Sequence, residues 1–275
     1  MAERFVSSVV RRVEGAVRRR AGVAFSAVAC AAAVTGVAIA LAEGSAHRVL
    51  AYFTIQSNIL VAVTFARPVL RVRARGPWWE PRFAGGVLLA VLVTGLVYHL
   101  YEFGAEVRGG AIATGSVDWR TVSCQLLHTV TPISAAVAWA LRTTPGGLRP
   151  RHAAQWLLYP FAYLMFTLLR GELLEPGTRA RYPYPVLDVA RYGYAVVLGN
   201  SLLFALAFST GALAILAVDG LLGRLRGACG PQVRLRLGDG PPDAWNRTAD
   251  RQGETCSSES RPAAPRDHVG GERVW

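Results

Sequence analysis

The stretch AGVAFSAVACAAAVTGVAIALA, residues 21–42, contains no charged residue over 22 positions. About 20 apolar residues in an α-helix are enough to cross the hydrocarbon layer of a bilayer. A secretory signal has a shorter apolar core, of about 7 to 15 residues, and lacks the long basic segment that precedes this stretch. We therefore predict an uncleaved first transmembrane helix.

Five further apolar runs follow this stretch, and the composition agrees with a membrane protein. Hydrophobic residues make up 52% of the chain and charged residues 17%, whereas a soluble domain has roughly 25% charged residues. The six predicted spans lie near residues 22–42, 49–66, 83–101, 122–141, 153–169 and 192–218. The sequence therefore predicts an all-α fold, a polytopic membrane bundle of six transmembrane helices.

The distribution of arginine sets the predicted orientation. All 30 Lys and Arg positions are arginine, a bias typical of a GC-rich coding sequence and of a bacterial source. If the N-terminus is cytoplasmic, fourteen arginines fall on the inner side of the spans and seven on the outer side, where seven acidic residues accompany them. Because cytoplasmic loops carry the excess of positive charge, we predict both termini in the cytoplasm of a multi-pass plasma membrane protein.

Polar segments flank the predicted six-helix domain of residues 21–222. In residues 1–20, valines recur at helical spacing among arginines, which suits an amphipathic helix on the inner leaflet or a solvated basic tail. Residues 223–275 are rich in Gly, Pro, Asp, Arg and Ser, which predicts a disordered cytoplasmic tail. The net charge of +12 is spread over loops and tail rather than along one groove, so no nucleic-acid partner is expected.

The chain lacks the motifs of several common enzyme classes. Its four cysteines, at positions 30, 124, 229 and 256, form no CxxC pair and no Cys/His cluster with metal-ligand spacing. The sequence also contains no phosphate-binding loop, no GxSxG elbow and no HExxH pair. We therefore expect neither a metal site nor a bound cofactor.

Two of the predicted spans carry polar side chains, which are costly in hydrocarbon and so point to function. In the second span, Thr54 lies about 7 Å below the outer end, and Ser57 and Asn58 follow about one turn deeper. In the fourth span, His128 lies about 9 Å down, one turn below Gln125. Further polar residues lie toward the same side of the predicted bundle: His99, Glu102, Thr167, Arg170, Asn200 and Ser201.

Thr54 and His128 form the candidate catalytic pair. A threonine hydroxyl becomes a good nucleophile when a base removes its proton, and neutral histidine is suited to that role near pH 7. Asn58 or Gln125 can orient the imidazole or donate to a developing oxyanion. Alternatively, these polar groups only join helices by hydrogen bonds, or bind a ligand or carried solute without chemistry. A haem or quinone protein that uses His99 and His128 is a further alternative.

Four segments carry a resemblance to a known family: AYFTIQSNILVAVTF (51–65), LLHTVTPISAAVAW (126–139), WLLYPFAYLMFTLLRGELL (156–174) and RYPYPVLDVARYGY (181–194). Over residues 21–222 the chain resembles the six-span membrane proteins of the androgen-induced family and their actinobacterial relatives. The resemblance implies an intramembrane threonine hydrolase of fatty acid esters of hydroxy fatty acids. By motif, Thr54 matches the nucleophile and His128 the base. Membrane lipids are then the expected partners and a lipid ester the expected substrate.

Two further features lie beside the last two predicted spans, and each has a functional and a structural interpretation. The run Tyr182-Pro183-Tyr184-Pro185 cannot form a continuous helix, and its tyrosines suit the membrane interface, so it predicts a rigid turn or a roof over the outer cavity. Arg170 can bind a lipid carboxylate, or it can serve only as a topology charge.

Overall fold

The computed structural model describes residues 2–70, 81–102 and 118–228, and nearly all of these residues are helical. In chain order the elements are α1 (Ala2–Glu43), α2 (Ala46–Val49), α3 (Phe53–Leu70), α4 (Pro81–Val97), the π-helix π1 (Tyr98–Glu102), α5 (Trp119–Gln125), the π-helix π2 (Leu126–Val130), α6 (Thr131–Arg142), α7 (Pro150–Trp156), α8 (Leu158–Leu173), a 3₁₀ turn (Pro185–Leu187) and α9 (Val189–Ala228). The described residues contain no strand. The prediction of an all-α chain is confirmed for this part of the protein.

Within the part of the chain that the structure describes, four helical stretches are long and apolar enough to cross a membrane: Arg12–Glu43, Arg82–Leu100, Trp119–Arg142 and Val189–Arg226. They overlap the predicted first, third, fourth and sixth spans. The predicted second and fifth spans are also helical, as α3 and as α7 with α8, but they are not among these four. The chain therefore has helices suited to an integral membrane protein, and the count of six spans stays a prediction.

The helix bounds differ from the predicted boundaries at both ends. Helix α1 runs without a break from Ala2 to Glu43, so the basic segment 1–20 and the first span belong to one helix. Helix α9 is bent at Gly193, whose φ of 74° is non-helical, and it continues to Ala228, past the predicted start of the tail at residue 223. The chain divides into the units Met1–Gly230 and Pro231–Trp275. The second unit lies outside the described residues, so the predicted tail is described only as far as residue 228.

Small residues allow the helices around α1 to pack closely. Ala29 and Ala33 of α1 and Ala135 and Ala138 of α6 are completely buried. At Gly36 of α1, a Cβ atom would come 2.7 Å from the Leu127 side chain. Small residues at helix contacts let backbones approach, as is common between helices in membranes. This close approach brings α1 directly beside π2, the segment that carries His128.

A buried carboxylate fastens α9 to the turn between α6 and α7. Asp219 is only 2% exposed. Its Oδ2 atom accepts hydrogen bonds from the backbone N–H groups of Gly146, at 2.9 Å, and Leu148, at 3.0 Å. Arg226, further along α9, donates to the carbonyls of Ala140 and Thr143 at 3.0 and 3.1 Å. These contacts hold the end of α6 against α9.

Replacing Asp219 with alanine is expected to destabilise the protein by about 1.5–3 kcal/mol, because two backbone donors lose a charged acceptor. Asp219→Asn keeps an acceptor oxygen and should retain part of that stability. Thermal unfolding of the purified variants in one detergent measures the difference. An alanine variant that unfolds at the wild-type temperature would show that the buried carboxylate does not stabilise this turn.

Candidate functional site

Thr54 lies in the first turn of α3, where its backbone N–H group needs an acceptor outside the helix. The first N–H groups of a helix have no acceptor within the helix. The N–H of Thr54 instead donates to the hydroxyl oxygen of Tyr184, at 3.2 Å. The side chain is 8% exposed. Thr54 is therefore held at the start of a helix, largely shielded and oriented through its own backbone.

His128 lies beside Thr54 with its ring orientation fixed. The Oγ1 atom of Thr54 is 3.3 Å from His128 Nε2. The other ring nitrogen, Nδ1, is 3.0 Å from the carbonyl oxygen of Cys124. A carbonyl oxygen only accepts, so Nδ1 carries the proton, and Nε2 of the neutral ring accepts the hydrogen of the Thr54 hydroxyl. This is the arrangement that a general base requires.

Tyr98 and a short polar chain support the other side of the imidazole. The Tyr98 ring stacks on His128 with centroids 4.4 Å apart and an angle of 16° between the planes. Gln125 donates through Nε2 to the Tyr98 hydroxyl at 3.4 Å and accepts at Oε1 from Thr129 at 2.9 Å. The hydroxyl of Thr129 is also 3.1 Å from His99 Nε2. Gln125 and His99 thus join Thr129 to the stacked pair Tyr98 and His128.

The two π-helices lie at this site. Tyr98 and His99 belong to π1, and His128 belongs to π2. Single π turns inside α-helices are rare and occur often at functional sites, because they change the direction in which the side chains point. Sequence periodicity gave no signal for either segment. The two π-helices thus set the direction in which Tyr98 and His128 point from their helices, and the two rings stack on each other.

Gly95 makes the close contact between α4 and π2 possible. A Cβ atom at Gly95 would come 2.8 Å from the carbonyl oxygen of His128 and 3.1 Å from Pro132 Cγ. Backbone cannot yield as a flexible side-chain end can, so any added methyl group pushes α4 and π2 apart. The site therefore depends on a glycine that does no chemistry.

We expect Gly95→Ala to destabilise the protein by about 1–3 kcal/mol through overpacking. The matched control is Gly199→Ala in α9, where a Cβ atom would meet nothing within 4 Å. That control should change the stability by less than about 1 kcal/mol. Unfolding temperatures of both variants, measured side by side, test the prediction, and equal effects would count against it.

Asn58 connects the two helices that carry the candidate pair. The side chain is completely buried. Its Nδ2 atom donates to the carbonyl of Thr54 at 2.9 Å and to the carbonyl of Leu127 at 3.4 Å. Its Oδ1 atom makes no hydrogen bond within the described residues. Asn58 therefore positions Thr54 relative to π2 and makes no hydrogen bond to the imidazole.

Arg170 lies at the end of α8 and holds the loop that leads to α9. Its Nη1 atom donates to the carbonyls of Ala180, at 2.7 Å, and Arg181, at 2.6 Å. The residue also lines an open groove of about 490 Å³, with a mostly apolar wall formed by His47, Leu50, Ala51, Phe166, Leu169, Leu173 and Leu174. The structure thus gives Arg170 a role in shaping the loop, through its bonds to the carbonyls of Ala180 and Arg181.

Tyr184 contacts Thr54 directly, a role that the sequence did not assign to it. Its hydroxyl is 3.1 Å from Thr54 Oγ1, in addition to its contact with the Thr54 N–H. The Tyr184 ring packs edge-on against Tyr52, with centroids 5.4 Å apart. The only signal was the proline-flanked tyrosine pair, which predicted a turn at this end of the chain's last span without assigning it a partner.

An aromatic shell surrounds the start of α3. Phe53 stacks on Tyr159 at 4.8 Å and contacts Tyr163 and Phe208 edge-on, at 5.0 and 5.7 Å between centroids. The hydroxyl of Tyr163 donates to the carbonyl of Ala51 at 2.9 Å. These rings fix the turn before Thr54 and exclude bulk water from one side of it.

Asp118 caps the helix that leads to His128. Its carboxylate accepts from the backbone N–H groups of Arg120 and Thr121 at 3.1 and 3.3 Å and from the Thr121 hydroxyl at 2.6 Å. The Thr121 hydroxyl, the Arg120 N–H and the Arg120 charge hold the pKa of Asp118 below its usual value. The carboxylate form that makes the cap therefore persists to a lower pH than it would in an ordinary aspartate.

The described residues contain no group of three or more His, Cys, Asp or Glu side chains placed to hold a metal ion. Both ring nitrogens of His128 have protein partners, Thr54 and the carbonyl of Cys124. The structure thus brings together Thr54, His128 and Asn58, with Gln125 and His99 one contact further away. No protein-family model, no curated protein and no solved structure matches the chain.

Proposed function

We propose that the protein is an intramembrane hydrolase of lipid esters, with Thr54 as nucleophile and His128 as general base. The observation that carries the proposal is the contact of 3.3 Å between Thr54 Oγ1 and His128 Nε2, together with the Cys124 carbonyl that fixes the proton on Nδ1. A nucleophile, a base within reach and a third group that orients the base form the general pattern of covalent catalysis.

The reaction follows from these positions. His128 Nε2 takes the proton of Thr54 as Oγ1 attacks the ester carbon, and the same proton then goes to the departing alcohol when the ester bond breaks. Water next attacks the acyl group on Thr54 and gives its proton to His128. The bond to Oγ1 breaks, a carboxylic acid leaves, and Thr54 recovers its proton from His128. No redox partner is needed.

A lipid ester is the substrate class that the surroundings favour. Large apolar side chains of α8 are exposed, as expected of a helix that faces hydrocarbon: Leu158, Phe161, Met165, Leu169 and Leu173. The groove beside Ala51 has a mostly apolar wall. The resemblance to the androgen-induced family adds fatty acid esters of hydroxy fatty acids as the first substrates to try.

The proposal includes six spans with both termini in the cytoplasm of a plasma membrane. The fourteen inner arginines against seven outer ones support this orientation. In this topology α3 and the stretch from α5 to α6 enter the membrane from the outer side, so Thr54 and His128 lie toward the outer leaflet. Reporter fusions after residues 70, 142 and 228 test it, because all three ends should report a cytoplasmic position.

Hydrolysis is tested with the full chain in lipid nanodiscs. We expect release of free fatty acid from long-chain esters of hydroxy fatty acids or related membrane-soluble esters. A non-enzymatic carrier or lipid-binding protein, the alternative, would bind the same esters without forming product. Binding without product over a panel of acyl-chain lengths would overturn the hydrolase proposal and favour that alternative.

A further inference from the structure

The hydrogen atoms around Thr54 can be assigned from their hydrogen-bond partners. The assignment decides the direction of the hydrogen bond between Thr54 and Tyr184. The Nδ1 proton of His128 points to the Cys124 carbonyl, so the Thr54 hydroxyl donates to Nε2. The Thr54 N–H donates to the oxygen of Tyr184. With its own hydrogen directed at Nε2, Thr54 Oγ1 is an acceptor in its contact of 3.1 Å with the Tyr184 hydroxyl. Tyr184 therefore both accepts from and donates to Thr54.

We propose that Tyr184 is a third catalytic residue, whose hydroxyl stabilises negative charge on Thr54 Oγ1. The inference rests on the proposed Thr54 and His128 hydrolase. Donors aimed at an atom that becomes negative in the transition state stabilise that state more than the ground state. The Tyr184 hydroxyl donates to Thr54 Oγ1 as Oγ1 loses its proton and attacks the ester. It donates again when Oγ1 departs from the acyl group in the second half of the reaction. Tyr184 keeps its own proton in both steps.

Aromatic packing and two prolines hold the Tyr184 hydroxyl in place. Pro183 and Pro185 restrict the backbone on either side, and Pro185 begins the 3₁₀ turn that buries Leu187. The Tyr184 ring contacts Tyr52 and Tyr163 edge-on, with centroids 5.4 and 6.3 Å apart. Because two other rings pack against the Tyr184 ring, its hydroxyl is directed at Thr54 before any substrate binds.

A reciprocal arginine clamp holds the loop that carries Tyr184. Arg170 of α8 donates to the carbonyls of Ala180 and Arg181, and Arg181 donates back to the carbonyl of Gly171. The Tyr182 ring lies directly on Gly171, where a Cβ atom would collide with it. Ala180 keeps a left-handed φ of 56° in this loop. Arg170 is thus a positioning residue that acts through Tyr184.

The test compares two tyrosines of the same loop. In labelling with a fluorophosphonate probe, Thr54 Oγ1 forms a bond to the phosphorus of the probe and fluoride leaves. The proton of the Thr54 hydroxyl passes to His128. We expect Tyr184→Phe to lower the rate constant of labelling by about 10- to 100-fold, the range expected when an oxygen that carries negative charge loses one hydrogen-bond donor. Tyr182→Phe removes a hydroxyl from a buried ring of the same loop and should label within about twofold of wild type, because Tyr182 makes no hydrogen bond to Thr54.

The outcomes separate this inference from the proposed function. Equal labelling rates for the two phenylalanine variants, with Thr54 still modified, would overturn the role of Tyr184 and leave the hydrolase standing. A folded wild-type protein that takes no label would overturn both. If Tyr184→Phe does not fold, difluorotyrosine at each position replaces it, and the labelling rate must change at 184 and not at 182.

Arg170 is tested through its dependence on Tyr184. Arg170→Met should slow labelling in the wild-type background and have little further effect in the Tyr184→Phe background, because residues that act through one group are not additive. A merely structural loss would slow labelling by the same factor in both backgrounds. Additive effects would therefore overturn the positioning role.

Discussion

Replacing Thr54 with valine should reduce ester hydrolysis by about 10⁴-fold or more, to the level that binding alone supports. Valine keeps the shape of the side chain and removes the hydroxyl, the atom that contacts His128 and Tyr184. The loss should appear in kcat, since the hydroxyl acts on the reacting carbon. Steady-state fatty acid release from nanodisc-bound protein is the measurement.

The control for this variant lies on the same helix. Thr64 is also completely buried in α3, and its Oγ1 makes no hydrogen bond within the described residues. Thr64→Val should therefore retain wild-type activity. Thr54→Ser should keep measurable activity, because it restores a hydroxyl at the same position. Equal activity of the Thr54 and Thr64 valine variants would exclude Thr54 as nucleophile.

His128→Phe is expected to lower kcat by about 10²- to 10⁴-fold, the usual contribution of a general base. Phenylalanine preserves a ring that can stack on Tyr98 and removes both nitrogens, so the packing of π2 changes little. The contact with the Cys124 carbonyl is lost together with the contact to Thr54. Activity and unfolding temperature should be measured on the same preparation, to separate catalysis from folding.

His99→Phe serves as the comparison. His99 is hydrogen-bonded to Thr129 and packs edge-on against Tyr98, but its side chain is exposed and stands beside the pair rather than between its two members. We expect this variant to keep activity within about tenfold of wild type, since surface positions away from the reacting atoms have small effects. A larger loss at position 99 than at position 128 would contradict the assignment of the base.

The predicted apolar runs fold as helices because length and composition decide whether a segment can cross hydrocarbon. The residues at which the helices begin, bend and end depend on tertiary contacts, and the sequence could not predict them. Periodicity does not show that α1 continues through residues 2–43, that Gly193 bends α9, or that Asp219 binds the turn before α7. The π-helices have no sequence signature at all.

The candidate pair was predictable because polar groups in spans are rare and two of them lay at similar predicted depth. The structure places them 3.3 Å apart. The roles of their neighbours were not predictable, since they depend on which way each side chain turns. Asn58 faces two carbonyls, Arg170 holds a loop, and Tyr184 reaches Thr54 across 130 positions of sequence.

The central claim is tested most directly by mapping the covalent adduct of a fluorophosphonate on the protein in its own membranes. Mass spectrometry of the labelled, digested chain should place the phosphonate on Thr54 in wild type, and the adduct should disappear in Thr54→Val and decline sharply in His128→Phe. A folded wild-type protein without an adduct, or with its adduct on another residue, would contradict the account.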